Sequence, residues 1–127
     1  MKFDYTVTTT KNFNETVQDV QDEIAKAGMR VLYVHDTQKT LVDKGFELDP
    51  FKIIEFCNAE YAHKFLKADM KIGLCMPCKI NVYVKGDDTV ISGMRPIVLT
   101  QFFPEADLEN EVQEIDEKIK DVINNAK

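Results

Sequence analysis

The residues of this chain best suited to nucleophilic, redox or soft-metal chemistry are three cysteines, Cys57, Cys75 and Cys78, and two histidines, His35 and His63. Cys57 ends the apolar stretch Phe51–Cys57 and precedes Asn58, a residue type that caps helices. Unpaired N–H groups at a helix start favour a thiolate, so this position could lower a cysteine pKa. His63 follows about one helical turn into the same segment, near enough to act as a proton partner or a second ligand. Cys78 opens the next strand, directly after Cys75-Met76-Pro77.

These residues admit four readings. In the plainest, Cys57 and Cys78 are small core packers, Asn58 is only a cap, and His63 is a half-buried surface residue. In the second, thiolate and imidazole from Cys57, His63, Cys75 and Cys78 hold Cu(I), Zn(II) or haem iron. The spacing fits no standard zinc template, because Cys75-x-x-Cys78 lacks a partner pair. In the third, Cys57 is a redox or nucleophilic thiol with His63 as its base, and these two are the catalytic candidates. Cys75-x-x-Cys78 is the weaker redox motif, since a strand follows it where thioredoxin-like sites have a helix. In the fourth, Met76, Met94 and Phe102 line a site for a small apolar ligand between sheet and helix. The leading expectation is a module binding a metal or small ligand at Cys57, Asn58, His63 and Cys78. A thiol-dependent redox enzyme and a purely structural or interaction homodimer are the alternatives; the cofactor is left unknown.

Other constellations are thinner. His35-Asp36 could handle a proton, although a histidine at a strand end before an aspartate cap is usually structural. Gly86-Asp87-Asp88 with Asp43 or Glu47 could attract a hard cation, but no calcium-loop spacing exists. Glycine-rich nucleotide loops, the P-loop, Gly-x-Ser-x-Gly and His-Glu-x-x-His are all missing from the sequence.

Elements of ordinary kind must position these side chains. The 127 residues are 44% hydrophobic and 30% charged, which suits one domain, residues 1–127, with a core of its own. A formal charge of −6 repels phosphate backbones and anionic lipid, and no segment concentrates lysine, so neither nucleic acid nor membrane is an expected partner. The opening MKFDYTVTTT alternates and lacks an apolar signal-peptide core, and no run approaches the ~18 apolar residues of a membrane span. A cytoplasmic location with free thiols is the default expectation.

Phe3, Tyr5 and Val7 alternate with polar residues as in a half-buried strand. Asn12 with Glu15 resembles a capping box, and Phe13, Val17, Val20, Ile24 and Ala27 form one stripe of a helix over 12–27 that ends at Gly28. A strand over 29–35, a short helix from the Asp36 cap to near Gly45, and a strand over 51–57 follow. The last has apolar residues on both faces, as an interior strand does. Asn58 caps a helix ending near Asp69. Cys78, Ile80, Val82 and Val84 share one face of the next strand, and Lys79, Asn81, Tyr83 and Lys85 take the other. A hairpin turn at 86–88 returns through 89–92, and 97–103 is a short apolar turn or helix. Leu108, Val112, Ile115, Ile119 and Val122 mark the final helix, with Glu105, Asp107 and Glu109 in front and Lys118 and Lys120 near its back, as the helix dipole favours. Its stripe, or the wet face of the sheet, could pack against a second copy. The order predicts an α+β domain whose antiparallel or mixed sheet is covered by helices on one face.

One block resembles a known family: Ile53-Ile54-Glu55-Phe56-Cys57-Asn58, then Ala62-His63 with Phe65-Leu66, then Met76-Pro77-Cys78 and Val82-Tyr83-Val84. It is similar to the domain-of-unknown-function 302 family, in which a Cys-Asn pair leads into an Ala-His helix and a Leu-Pro-Cys element opens the next strand. Phe13 to Val17 and Met94-Arg95-Pro96 agree with it on the flanks. The resemblance implies a TATA-binding-protein-like α+β fold, commonly a homodimer, and no established activity. Met76 stands where the family pattern has leucine, and Cys75 is a thiol that pattern does not require.

Overall fold

The computed structural model describes residues 2–127. Five strands form one sheet: β1 (Asp4–Thr9), β2 (Arg30–Asp36), β3 (Phe51–Cys57), β4 (Cys78–Lys85) and β5 (Asp88–Met94). Their spatial order is β1-β5-β4-β3-β2 and every neighbouring pair is antiparallel. The helices are α1 (Phe13–Lys26), α2 (Thr37–Val42), α3 (Ala59–Ala68), α4 (Leu99–Phe102) and α5 (Glu109–Ala126), with 3₁₀ turns at Met70–Cys75 and Pro96–Val98. The element order and the α+β class are those the sequence predicts.

Local chemistry sets the boundaries. Asn12 Oδ1 accepts from the N–H groups of Asn14 and Glu15, which starts α1. Gly28 ends it at φ +79, where a side chain would be strained, while Met29 N–H reaches back to the Ile24 carbonyl. Asp36 caps α2 through Lys39 N–H, so the acid of the His35-Asp36 pair is structural.

One face of the sheet is dry. Ile54, Phe56, Ile80, Val82 and Ile91 point from it into a core completed by Val17, Val20 and Ile24 of α1 and Val112, Ile115, Ile119 and Ile123 of α5. The stripe of α5 is thus core rather than a free seam. At Gly93 the packing is close enough that a Cβ would stand 3.0 Å from Ile123 Cδ1. Lys118 and Lys120 lie mid-helix, not near its end, because α5 runs on to bury Val122, Ile123 and Ala126, and its last turn has no basic residue. The two ammonium groups instead sit over the rings of Tyr61 and Tyr5. Behind the Met94-Arg95-Pro96 element, Arg95 donates to the buried carboxylate of Asp116 through Nη2 at 3.0 Å and Nε at 3.3 Å. A charge buried this way needs such partners.

The other face carries no helix across its middle, and strand register arranges it in rows. Thr6, Ser92, Asn81, Ile53 and His35 are successive cross-strand partners. Tyr33, Glu55 and Lys79 form a second row, and Thr8, Val90, Tyr83 and Phe51 a third. A bulge between Val31 and Tyr33 lets Val31 and Val34 both face the core while Tyr33 and His35 turn to the open side. Simple alternation along β2 would not produce that arrangement.

Candidate functional site

Cys57, Asn58 and Cys78 lie at one end of the β3–β4 pair. Phe56 pairs with Cys78, so by alternation Cys78 points to the core face and Cys57 to the opposite one. The two thiols are still close enough that a Cys57 thiolate would raise the Cys78 pKa. Asn58 caps α3: its Oδ1 accepts from the N–H groups of Glu60 and Tyr61 at 3.0 and 3.2 Å, and its Nδ2 donates to the Gly28 carbonyl. The first amides of α3 are thereby occupied by the asparagine, not by sulfur. Burial pushes the Cys57 thiol up, the direction opposite to that of a helix-activated thiolate. Burial, then the neighbouring Cys57, pushes Cys78 up to about 11.

His63 stands apart. Helix α3 turns Phe65 into the core and leaves His63 exposed with Lys64 and Lys67. The imidazole is therefore more exposed than the half-buried surface position of the plainest reading. Cys75 ends a 3₁₀ turn and packs partly buried on the core, as do Met76 and Cys78. Among the described residues, no group of three or more His, Cys, Asp and Glu side chains is placed to hold a metal ion. Met76, Met94 and Phe102 share no cavity: Met76 is packed on the core, Met94 lines a hollow on the open face, and Phe102 lines a hollow of about 460 Å³ beside Asp69 and Lys71.

A different set of side chains converges on the open face. His35 Nε2 and Glu55 Oε1 are 2.9 Å apart, and the His35 ring tilts against Tyr33 at 4.6 Å between centroids. His35 thus takes its acid from β3, twenty positions along the chain, and not from the adjacent Asp36. Lys79 is the cross-strand partner of Glu55. Around them lies a hollow of about 260 Å³ lined by His35, Thr37, Thr40, Leu41, Ile53, Glu55 and Lys79, with α2 as its outer wall. A second hollow of about 340 Å³ adjoins it, lined by Phe3, Asp4, Asn81, Ser92 and Met94 and by the same Ile53 and Lys79. Thr6 and Ser92 hydroxyls are hydrogen-bonded at 2.6 Å beside it. Beyond the next row, the rings of Phe51 and Tyr83 stack at 5.1 Å and 8°, and Val90 is only 3% exposed.

The hollows have apolar floors and a few convergent polar groups, the general make-up of a small-molecule site. They rest on hydrogen-bonded strands, which hold side chains more rigidly than a turn does. The 460 Å³ hollow, by contrast, is walled mainly by segment ends, at residues 68–71 and 102–106. Sequence reading assigned Lys79 and Asn81 to the wet side of β4 but not to a site. The available signal was Ile53, an apolar residue on the face of β3 that a one-sided sheet leaves uncovered.

The comparisons agree on lineage. The family model described as domain of unknown function DUF302 matches residues 5–126. The crystal structure of an uncharacterized conserved DUF302 protein from Bacillus stearothermophilus superposes with a TM-score of 0.93, at 25% identity and covering 100% of both chains. Among curated proteins nothing matches. No described helix is long and apolar enough to cross a membrane. The match spans nearly the whole chain and the fold agrees throughout, so this protein belongs to the DUF302 family.

Proposed function

We propose that this protein is a binding module that takes a small molecule on the open face of its sheet, rather than a thiol enzyme. The observation that carries the reading is the pair of adjoining hollows sharing Ile53 and Lys79, with the His35–Glu55 pair in one wall. Binding of a soft metal or ligand at Cys57, Asn58, His63 and Cys78 has in its favour that Cys57 and Cys78 lie at the same end of the β3–β4 pair. Against it stand the outward His63, the occupied Asn58 oxygen and thiols that burial keeps protonated. Thiol catalysis by Cys57 with His63 meets the same geometry.

A homodimer through the open face is a second reading, favoured by a five-stranded sheet whose long helices α1 and α5 both pack on the other side. Such a dimer would cover both hollows. Crystals soaked in a mixture of small polar and amphiphilic fragments test the choice. Density over Ile53 and Lys79 supports the binding module; density confined to the Cys57–Cys78 end contradicts it. Sedimentation giving twice the 14.6 kDa chain mass, reduced to the monomer by Ile53→Glu, would assign the face to self-association instead.

A further inference from the structure

Three charged side chains reach the two hollows from neighbouring strands, Glu55, Lys79 and Asp4, together with the imidazole of His35. Their hydrogen bonding is unequal. Glu55 is held to His35 at 2.9 Å. Asp4 accepts from the Thr6 hydroxyl. Lys79 has no ion-pair partner within 4.0 Å among the described residues, although it lies between the hollows and lines both. Its three N–H donors are the largest unmatched polar resource on this face. A cationic ligand would meet repulsion from Lys79, while Asp4 and Glu55 already hold the Thr6 hydroxyl and the His35 ring nitrogen.

The apolar contribution is one-sided as well. Ile53 forms the shared floor, Leu41 of α2 closes one hollow, and Phe3 and Met94 close the other. Asn81 adds a side-chain amide beside Lys79, while the Ser92 hydroxyl is bonded to Thr6. Each hollow, at about 260 and 340 Å³, sits at the small end of ligand pockets, which suits a molecule of few heavy atoms.

We infer that the open face binds a small amphiphilic anion, with its carboxylate-type head on Lys79 and Asn81 and its short apolar body over Ile53. This rests on the binding-module reading above and adds the ligand's chemical class. Net charge gives no help, because a −6 protein repels anions at long range. Any preference for an anion must therefore arise locally, at Lys79.

The test is an NMR titration of ¹⁵N-labelled full-length protein with hexanoate, hexanamide and hexylammonium, which share a chain length and differ in head charge. Hexanoate is expected to shift the amides of Ile53, Lys79, Asn81 and Ser92 and to bind about five- to ten-fold more tightly than hexanamide, the range of a charge-assisted hydrogen bond at a partly exposed site. Lys79→Met keeps the apolar stem and should bring hexanoate and hexanamide within about two-fold of each other. Lys85→Met removes the same charge farther along β4 and should leave the preference intact. If hexanamide or hexylammonium binds the same residues as well as hexanoate does, the anion assignment is overturned while the binding module stands. If none of the three probes shifts these residues, and fragment soaking also leaves the hollows empty, both fail together.

Discussion

The end and the middle of strand β3 carry the chemistry of this protein differently. At one end Cys57 and Asn58 meet Cys78, residues whose types promise reactivity. Nearer the middle, Ile53 and Glu55 meet His35, Lys79 and Asn81, of which only the histidine attracts notice in a sequence. In the fold, the first group is closed: the cap takes the helix amides, burial raises both thiols, and the histidine faces away. The second is accessible and lines two adjoining hollows. Residue type indicates what a side chain could do; the amides, neighbours and solvent around it decide whether it does so.

Substitutions can break or sharpen that contrast. The largest effect is expected in the framework behind both regions. Asp116→Ala would leave Arg95 without its buried acceptor and should cost about 3 kcal/mol in urea unfolding. A cost below ~1 kcal/mol would show that the pair is already solvated.

At the cysteine end, Cys78→Ala should cost about 1–2 kcal/mol, the loss of a small packed side chain. Denaturation melts that show no loss would contradict a packing role. The same thiol should make stability depend on pH. Its folded pKa is raised to about 11 from 9.0, so the unfolded chain ionises first. The folded state then holds more protons across that interval, and stability is full below pH 9 and falls as pH rises toward 11. Unfolding at pH 8 and pH 10.5 should show a drop of about 1–2 kcal/mol in the native protein relative to Cys78→Ala. A difference of the opposite sign would mean a stabilised thiolate.

Alkylation reports on Cys57 directly. In a Cys75→Ser, Cys78→Ala background, its rate against pH should rise with a midpoint above the ordinary ~8.5. A midpoint below 7.5 would restore the activated thiol. The smallest effect belongs to His63→Ala, which should change stability by less than about 0.5 kcal/mol, as for other exposed side chains. A loss above 1 kcal/mol would mean that His63 has a structural partner.

Much of the framework was legible. Asn12, Gly28, Asp36 and Asn58 mark element ends because their capping bonds are local and depend on a few neighbouring residues. The stripes of α1 and α5 reflect a periodicity that only one buried face can satisfy. Non-local features were not legible. The bulge in β2 depends on what Val31 and Val34 meet across the sheet, and it is what brings His35 to Glu55. Lys118 and Lys120 read as cations near the back of α5, whereas they lie mid-helix and their partners are Tyr61, Tyr5 and Asp116. The candidate site suffered most. Cys57 and Asn58 are adjacent in sequence, so their competition for the same helix amides is visible only once α3 is built.

Mapping amide chemical shifts of the uniformly labelled protein against a fragment library compares both regions in one sample. The account predicts perturbations concentrated at Ile53, Lys79, Asn81 and Ser92, with Cys57 and Cys78 unmoved. Perturbations concentrated at Cys57, Asn58 and Cys78, with the middle of the sheet silent, would contradict it.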